Sequence, residues 1–599
     1  MSEELLIGIV SVVALGIGAQ WIAWQIKQPA ILLLLIAGFV AGPVSGLLKP
    51  DELFGDTLLP LVSISVAIIL FEGGLSLHLK ELKEVGAIVR NLILVGVPVA
   101  WLLISLAARW ILGFPWTLSV LLGAILVVTG PTVIIPLLRH VRPVARMQSA
   151  LKWEGIVIDP VGALLAVLVF EFIIAGGFQQ ALPSVLMSLF QTLLVAILTS
   201  GIGGGLLIFA LKRKDIPDFL ESSITLMMVL VVYTGSNILQ AESGLFSVTI
   251  MGIILANQKW VAVHSIVEFK ENLRVLLISS VFVLLAARVN PDDVKQLGWR
   301  GAFFLVFLLV VARPVSVWIA GIGTGMSWKE KTFLSWLAPR GIVAAAVTSI
   351  FALELEHLGF EQAALIVPVT FLVIVGTVSI YGVTATPVAR ALGLALKGRG
   401  GPLIVGAHPW ARRVAEAIQK EGYRAMLVDT NRENIKQARL EGLTAIHANI
   451  MSQHAVDDID TAGLGFLMAL TSNEEVNSIA CLHFAEVFGK NETYQLPSDE
   501  DARNPARAFP KHLRGQNVFS PDLTYEKVSD LFHDGYTVKV NRLTEEFSYE
   551  DFQEIHDEQA YPLFVLSPDA ELRIVTDPRA MRPVLGAKMI SLVPSQVDD

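Results

Sequence analysis

The chain has 599 residues, of which 54% are hydrophobic and 17% charged, with a mean hydropathy of +0.62. Globular proteins run about 45–50% apolar and about 25% charged, so the composition excludes a disordered chain and argues against an ordinary soluble enzyme. The net charge of -9 divides into +1 through Leu396 and -10 beyond it, and an acidic tail of that kind argues against nucleic acid as a partner. One cysteine, Cys481, excludes an intramolecular disulfide framework and a Cys-cluster metal site. At this length two or more domains are expected.

Apolar runs of about 20 residues span a bilayer core of roughly 30 Å. Thirteen such runs lie near 5–24, 29–48, 57–77, 88–110, 115–138, 151–175, 184–211, 219–238, 244–257, 272–289, 298–321, 332–354 and 361–389. The first lacks a basic n-region and an A-x-A site, so it reads as a span rather than a cleaved signal peptide. Loop charge tests the count, because positive residues stay cytoplasmic. Alternate loops carry Lys27; Lys80, Lys83 and Arg90; Arg139, Arg142, Arg146 and Lys152; Lys212, Arg213 and Lys214; Lys259, Lys270 and Arg274; Lys329 and Lys331; and Arg390. The other side carries only Lys49, Arg109, Arg288, Lys295 and Arg300. This bias places the N-terminus outside and the polar tail in the cytoplasm.

Two spans contain helix-breaking clusters. The fifth reads Val128-Thr129-Gly130-Pro131-Thr132 and the twelfth Ala338-Pro339-Arg340-Gly341. In a bilayer, the backbone groups freed by such breaks are tolerated only against protein or a water-filled cavity. The two spans are seven apart. Six helices, a linking helix and six more give that offset, and an odd offset inverts the second copy. Secondary transporters share this plan, with sites at broken helices near the midplane.

Ionisable residues inside a membrane are costly and become functional candidates by default. Asp159 on the sixth span lies about 8 residues from the cytoplasmic end, roughly 12 Å deep. Thr129 is about 10 residues in, roughly 15 Å, and Arg340 about 8, roughly 12 Å. Three separately placed polar groups thus converge on one depth. Glu154 and Asp159 are five apart and do not face one partner. Asp159 is therefore read as the exchangeable carboxylate, able to hold a proton or a cation near neutral pH. Glu154 is expected to pair with Arg340. Glu72 and Arg313 read equally well as packing charges, and Glu171 and Glu242 lie near the outer boundary.

Taken together, Phe71-Glu72-Gly73-Gly74-Leu75, Thr129-Gly130-Pro131, Glu154 with Asp159, Ser243-Gly244-Leu245, Arg313-Pro314 and Pro339-Arg340-Gly341 resemble the NhaP-type cation/proton antiporters. These belong to the first cation–proton antiporter branch, which includes the eukaryotic sodium/proton exchangers. The resemblance covers about residues 5–395. It implies a homodimer, an elevator-like alternating-access motion, and electroneutral exchange of sodium or potassium for a proton at Asp159. It also implies Thr129 as a cation ligand, a role for Glu154 in ion and proton binding, and Glu154–Arg340 as the core ion pair. The chain departs from the family's Thr-Asp-Pro at Gly130 and from its Asn-Asp at Ile158, and Gly155 stands where a serine is common.

After a glycine-rich linker, 397–401, residues 402–406 read as a buried strand, 410–421 as a helix, Tyr423–Val428 as a strand, Arg432–Glu441 as a helix and Thr444–Ala448 as a strand. This is a βαβαβ pattern, the first half of a dinucleotide fold. Asp429 ends the second strand, where such folds place a ribose-binding acid. The G-x-G-x-x-G fingerprint becomes Gly406, His408 and Ala411, with an imidazole where the backbone would approach a pyrophosphate. The segment is similar to the nucleotide-binding TrkA-N/RCK domains that regulate potassium channels and transporters, most specifically through Ala469-Leu470-Thr471-Ser472-Asn473-Glu474-Glu475-Val476-Asn477. That likeness implies regulation by a ligand such as AMP or NAD(H), with Asn449 near the adenine. Residues 536–599 are similar to the small C-terminal domain of those regulators, and Pro497–Pro521 reads as a connector.

The expected architecture is thus an α-helical polytopic membrane domain (1–396) with inverted repeats and two broken helices. A Rossmann-like α/β domain with its connector (402–535) and a small α+β domain (536–599) follow. The expected function is electroneutral antiport across the inner membrane under control of the tail. One rival is an RCK-gated potassium channel or Kef-like potassium efflux system. A channel predicts a filter such as T-V-G-Y-G, which the chain lacks. The other rival, a proton-pumping nicotinamide redox enzyme, needs an intact glycine fingerprint.

Overall fold

The computed structural model describes all residues except 1, 27, 142, 175–177, 214–215, 262–263, 290, 396–399, 453–458, 460, 462, 499–513, 557–558, 569–570, 579–580, 582 and 596–599. Lys27, Arg142, Lys214, the first part of the linker and most of the connector therefore lie outside the described residues, as do the side chains of Arg139 and Lys270. The chain separates into two compact units, Met1–Ala395 and Leu396–Asp599.

Among the described residues the elements of the first unit are helices, and they fall on the apolar runs of the sequence. Among the described residues nine helices are long and apolar enough to cross a membrane, and Ala30–Val44, Ser243–Asn257 and Leu273–Ala287 are shorter apolar helices. The remaining run is divided into Trp328–Trp336 and Ile342–His357. The boundary before Ser243 is a sharp one. Gln240 is extended and Glu242 adopts a left-handed φ of 60°. Ser243 Oγ lies 2.8 and 2.7 Å from the carbonyls of Ser236 and Gln240, adding side-chain bonds to the backbone ones that close the turn.

The two halves repeat a detail that the sequence pattern did not reveal. A π-helical turn over Leu92–Gly96 is followed by Pro98, and another over Leu308–Ala312 by Pro314. Proline has no amide to donate, and the wide turn just before it absorbs the missing helical bond. These two helices, the fourth and eleventh, are seven apart, the same offset as the two broken ones.

In the second unit, β1 (Gly401–Val405), β2 (Met426–Asp429), β3 (Thr444–His447), β4 (Leu464–Ala469), β5 (Thr493–Gln495) and β6 (Gln516–Asn517) form a parallel sheet in the order β3-β2-β1-β4-β5-β6. That is the doubly wound order, with its switch point between β1 and β4. Strand β2 begins at Met426 rather than Tyr423, because Gly422 turns the chain at φ 87° after the helix Pro409–Lys420. Strands β7 (Thr537–Arg542), β8 (Tyr561–Leu566), β9 (Leu572–Ile574) and β10 (Lys588–Val593) form an antiparallel sheet in the order β7-β10-β8-β9. One buried cluster runs from Ile404 and Trp410 through Phe519 to Phe564 and Ile590, so the two sheets share a core.

Candidate functional site

The fifth run divides into Trp116–Leu126 and Pro131–Val141, and the twelfth at Leu337–Gly341. The two extended breaks cross. The amide of Gly130 donates to the carbonyl of Pro339 at 3.2 Å. A Cβ on Gly130 would overlap the Cα of Gly341, and one on Gly341 would overlap the Cα of Gly130. Backbone meets backbone here with no room for a side chain, which gives the departure at Gly130 a physical reason.

The same stretch runs antiparallel along the helix Ala145–Ile174. A Cβ on Gly162 would overlap the Val128 side chain, while a Cβ on Gly155 would lie 3.5 Å from the side chain of Ile134. With 128 set against 162 and 134 against 155, residues 129–132 flank Asp159. Thr129, Thr132 and Asp159 are all buried. Thr129 Oγ1, Thr132 Oγ1 and Asp159 Oδ1 have no hydrogen-bond partner among the described residues. Buried polar oxygens are seldom left so, since each costs roughly 1–3 kcal/mol. Thr132 sits inside the sequence motif but was given no role there. Only the register against Asp159 brings it into the site.

The ion pair expected between Glu154 and Arg340 is not the one that forms. Arg313 Nη1 and Nη2 instead reach Glu154 Oε1 and Oε2 at 2.5 and 2.9 Å, a bidentate pair with both side chains buried. Arg313 Nε also donates to the carbonyl of Leu334 at 3.2 Å, in the last turn of Trp328–Trp336. Arg340 serves the other broken helix. Its Nη1 donates to the carbonyls of Val127 and Val128 at 2.9 and 3.1 Å, and its amide to Thr377 Oγ1 at 3.2 Å. Its Nε has no partner among the described residues. Each half-helix that ends at the crossing thus has an arginine on its terminal carbonyls. This satisfies orphan acceptors and sets positive charge against the negative end of the helix dipole.

A narrow cleft bordered by Val97, Val127 and Ile158 joins Arg313 and Arg340. Sequence reasoning missed Arg313 because two buried arginines competed for one glutamate. The Arg313-Pro314 pair was the available signal. Glu72 is buried and paired with Arg274 at 2.7 Å. Glu171 Oε1 accepts from Ser188 Oγ at 3.2 Å.

In the tail, Gly406 takes a left-handed φ of 104° at the end of β1. Asp429 Oδ2 accepts from the amide of Ala407 at 2.8 Å and from Asn434 Nδ2 at 2.9 Å, while Oδ1 accepts from the amide of Asn431 at 2.8 Å. His408 caps the helix Pro409–Lys420, its Nδ1 accepting from the amide of Ala411 at 3.4 Å, with Nε2 2.7 Å from the carbonyl oxygen of Leu470. Burial pushes the imidazole down to about 4, outweighing the Leu470 carbonyl and the Asp429 charge, which favour protonation. Asn449 Oδ1 accepts from the amide of Met451 at 3.0 Å, within its own turn. Among the described residues no cluster of His, Cys, Asp or Glu is suited to a metal ion.

The family description "Sodium/hydrogen exchanger, transmembrane" matches residues 9–391, and the TrkA-N domain matches residues 403–509. The chain is 25% identical over 366 residues to the K(+)/H(+) antiporter NhaP2 of Shewanella sp. (strain ANA-3), covering 60% of this chain and 62% of that protein. It is 27% identical over 407 residues to the K(+)/H(+) antiporter NhaP of Alkalimonas amylolytica, covering 66% of this chain and 68% of that protein. The solved structure of the sodium proton antiporter MjNhaP1 from Methanocaldococcus jannaschii at pH 8 shares the fold. It aligns with a TM-score of 0.57 at 23% identity, covering 65% of this chain and 99% of that one. With a family match over well more than half its length and both breaks crossing within it, the chain belongs to the sodium/hydrogen exchanger family and carries a TrkA-N domain behind its membrane helices.

Proposed function

We propose that the protein is an inner-membrane antiporter exchanging one monovalent cation, sodium or potassium, for one proton, both competing for Asp159 in alternating access. The observation that supports this reading is that, beside the crossing at Gly130 and Gly341, the buried oxygens Asp159 Oδ1, Thr129 Oγ1 and Thr132 Oγ1 have no hydrogen-bond partner among the described residues. A carboxylate and two hydroxyls are hard oxygen ligands suited to such a cation, and the same carboxylate takes the proton. Glu154, engaged by Arg313, holds the architecture instead of the ion, and Arg340 holds the end of the broken helix. The names of relatives as K(+)/H(+) and Na(+)/H(+) antiporters support the substrate class. Loop charge supports an external N-terminus and a cytoplasmic tail. The tail acts as a regulatory module, and the transporter works as a homodimer.

The test is reconstitution into proteoliposomes with a trapped pH dye and addition of sodium, potassium or lithium. Cation addition is expected to move protons in the wild type and not in Asp159→Asn. Exchange retained by that variant removes Asp159 from the site. Proton movement driven by membrane potential alone contradicts electroneutral exchange.

A further inference from the structure

We propose that the phosphate cradle of the tail is closed by its own side chains, so that the domain binds neither a dinucleotide nor an adenine mononucleotide there. In this fold a pyrophosphate lies between the turn after β1 and the following helix N-terminus, in the crevice between β1 and β4. Two of the amides that would receive it, one in the turn and one at the helix N-terminus, are engaged. The Ala407 amide, in the turn, is bonded to Asp429 Oδ2. The Ala411 amide, at the helix N-terminus, is bonded to His408 Nδ1. The imidazole itself covers the glycine turn, since a Cβ on Gly406 would lie 3.2 Å from His408 Nε2.

From that position His408 reaches across the crevice to the carbonyl of Leu470, just past the end of β4. A carbonyl only accepts, so Nε2 carries the proton and Nδ1 is left to accept from Ala411. One neutral tautomer therefore satisfies both sides. The ring is also held by packing. Its centroid lies 4.3 Å from that of Trp410 and 5.3 Å from that of Tyr525, edge to face, on the helix Tyr525–His533. Asp429, the acid such folds turn toward a ribose hydroxyl, spends both oxygens on Ala407, Asn431 and Asn434. A dinucleotide would have to displace the imidazole and break the Asp429 bond to Ala407. The residues present do not fit it.

The test uses the full-length chain in detergent, with NADH followed by its fluorescence and labelled AMP and ATP by equilibrium dialysis. No saturable binding is expected from the wild type below about 1 mM, about -4 kcal/mol. His408→Gly, with the second glycine of the fingerprint restored, is expected to bind at least one of these nucleotides at least tenfold tighter. Wild-type binding in the micromolar range overturns the proposal. So does a folded His408→Gly protein that still binds nothing, because the imidazole is then not what closes the cradle. A readout on the wild type stands if the variant fails to fold. With 13C-labelled histidine, the His408 resonance is expected to stay neutral down to about pH 5 and to be indifferent to NADH. Titration near the free-imidazole value, or a shift on adding NADH, counts against the closed cradle.

Discussion

The crossing of broken helices in the membrane unit and the first turn of the tail both depend on a glycine, yet their polar groups are handled in opposite ways. At the crossing, Asp159 Oδ1, Thr129 Oγ1 and Thr132 Oγ1 are buried without a partner among the described residues. At the turn, Asp429, His408 and the amides of Ala407 and Ala411 are all bonded to one another or to their neighbours. Leaving oxygens unsatisfied in a bilayer is expensive, and that cost is what supports the proposal that a ligand is bound there. A shape inherited from nucleotide-binding folds carries no such mark when its donors are already spent. Fold likeness alone treats both regions as ligand sites, and the hydrogen-bond accounting separates them.

The contrast is easiest to break at Glu154. Glu154→Gln leaves the Arg313 guanidinium buried beside a neutral amide, and the expected cost is about 3–5 kcal/mol. This will appear as a large fall in the thermal unfolding midpoint of the detergent-solubilised protein. Replacing both partners with apolar residues of similar volume is expected to recover most of that loss. A single variant as stable as wild type shows that the pair does not hold the crossing.

A smaller effect is expected in the tail. The folded state keeps His408 neutral down to about pH 4, whereas an unfolded imidazole protonates near the ordinary 6.5. The unfolded state therefore binds the extra proton between these values. Stability is full above pH 6.5, falls as pH drops toward 4, and loses at most about 3 kcal/mol. Hydrogen exchange of the β1 turn in the full-length chain measures this, and His408→Asn is expected to flatten the slope in that window. An unchanged slope means that the imidazole is not buried as described.

Thr132→Val should have the smallest effect. It removes one oxygen from the site, worth about 1 kcal/mol, and is expected to raise the half-saturating cation concentration about five-fold while leaving folding intact. An unchanged half-saturation in the proteoliposome assay takes Thr132 out of the ligand set.

Much of this was legible in the sequence, and what was not shares one physical cause. Apolar runs of bilayer length, Gly-Pro clusters at 130–131 and 339–341, and Asp159 at matching depth are local signals, and the helices and breaks fall on them. The π-helical turns before Pro98 and Pro314 are local in structure but have no residue signature except the proline. Partner choice is not local. Arg313 and Arg340 lie at comparable depth, and which one meets Glu154 depends on how the extended segments cross. The crossing in turn depends on Gly130 meeting Gly341, more than 200 residues apart. In the tail, the sequence showed that an imidazole replaces a glycine. That the ring satisfies Leu470 and Ala411 at once is visible only when β1 and β4 lie side by side.

The central claim, that cation and proton share Asp159, is tested most directly by proton release on cation binding. Purified protein in weakly buffered detergent with a pH-indicator dye is titrated with sodium or potassium below neutral pH, and bound cation is counted in parallel. One proton released per cation bound is expected in the wild type, and no release from Asp159→Asn. Saturable cation binding without proton release, or release that survives in Asp159→Asn, would contradict the account.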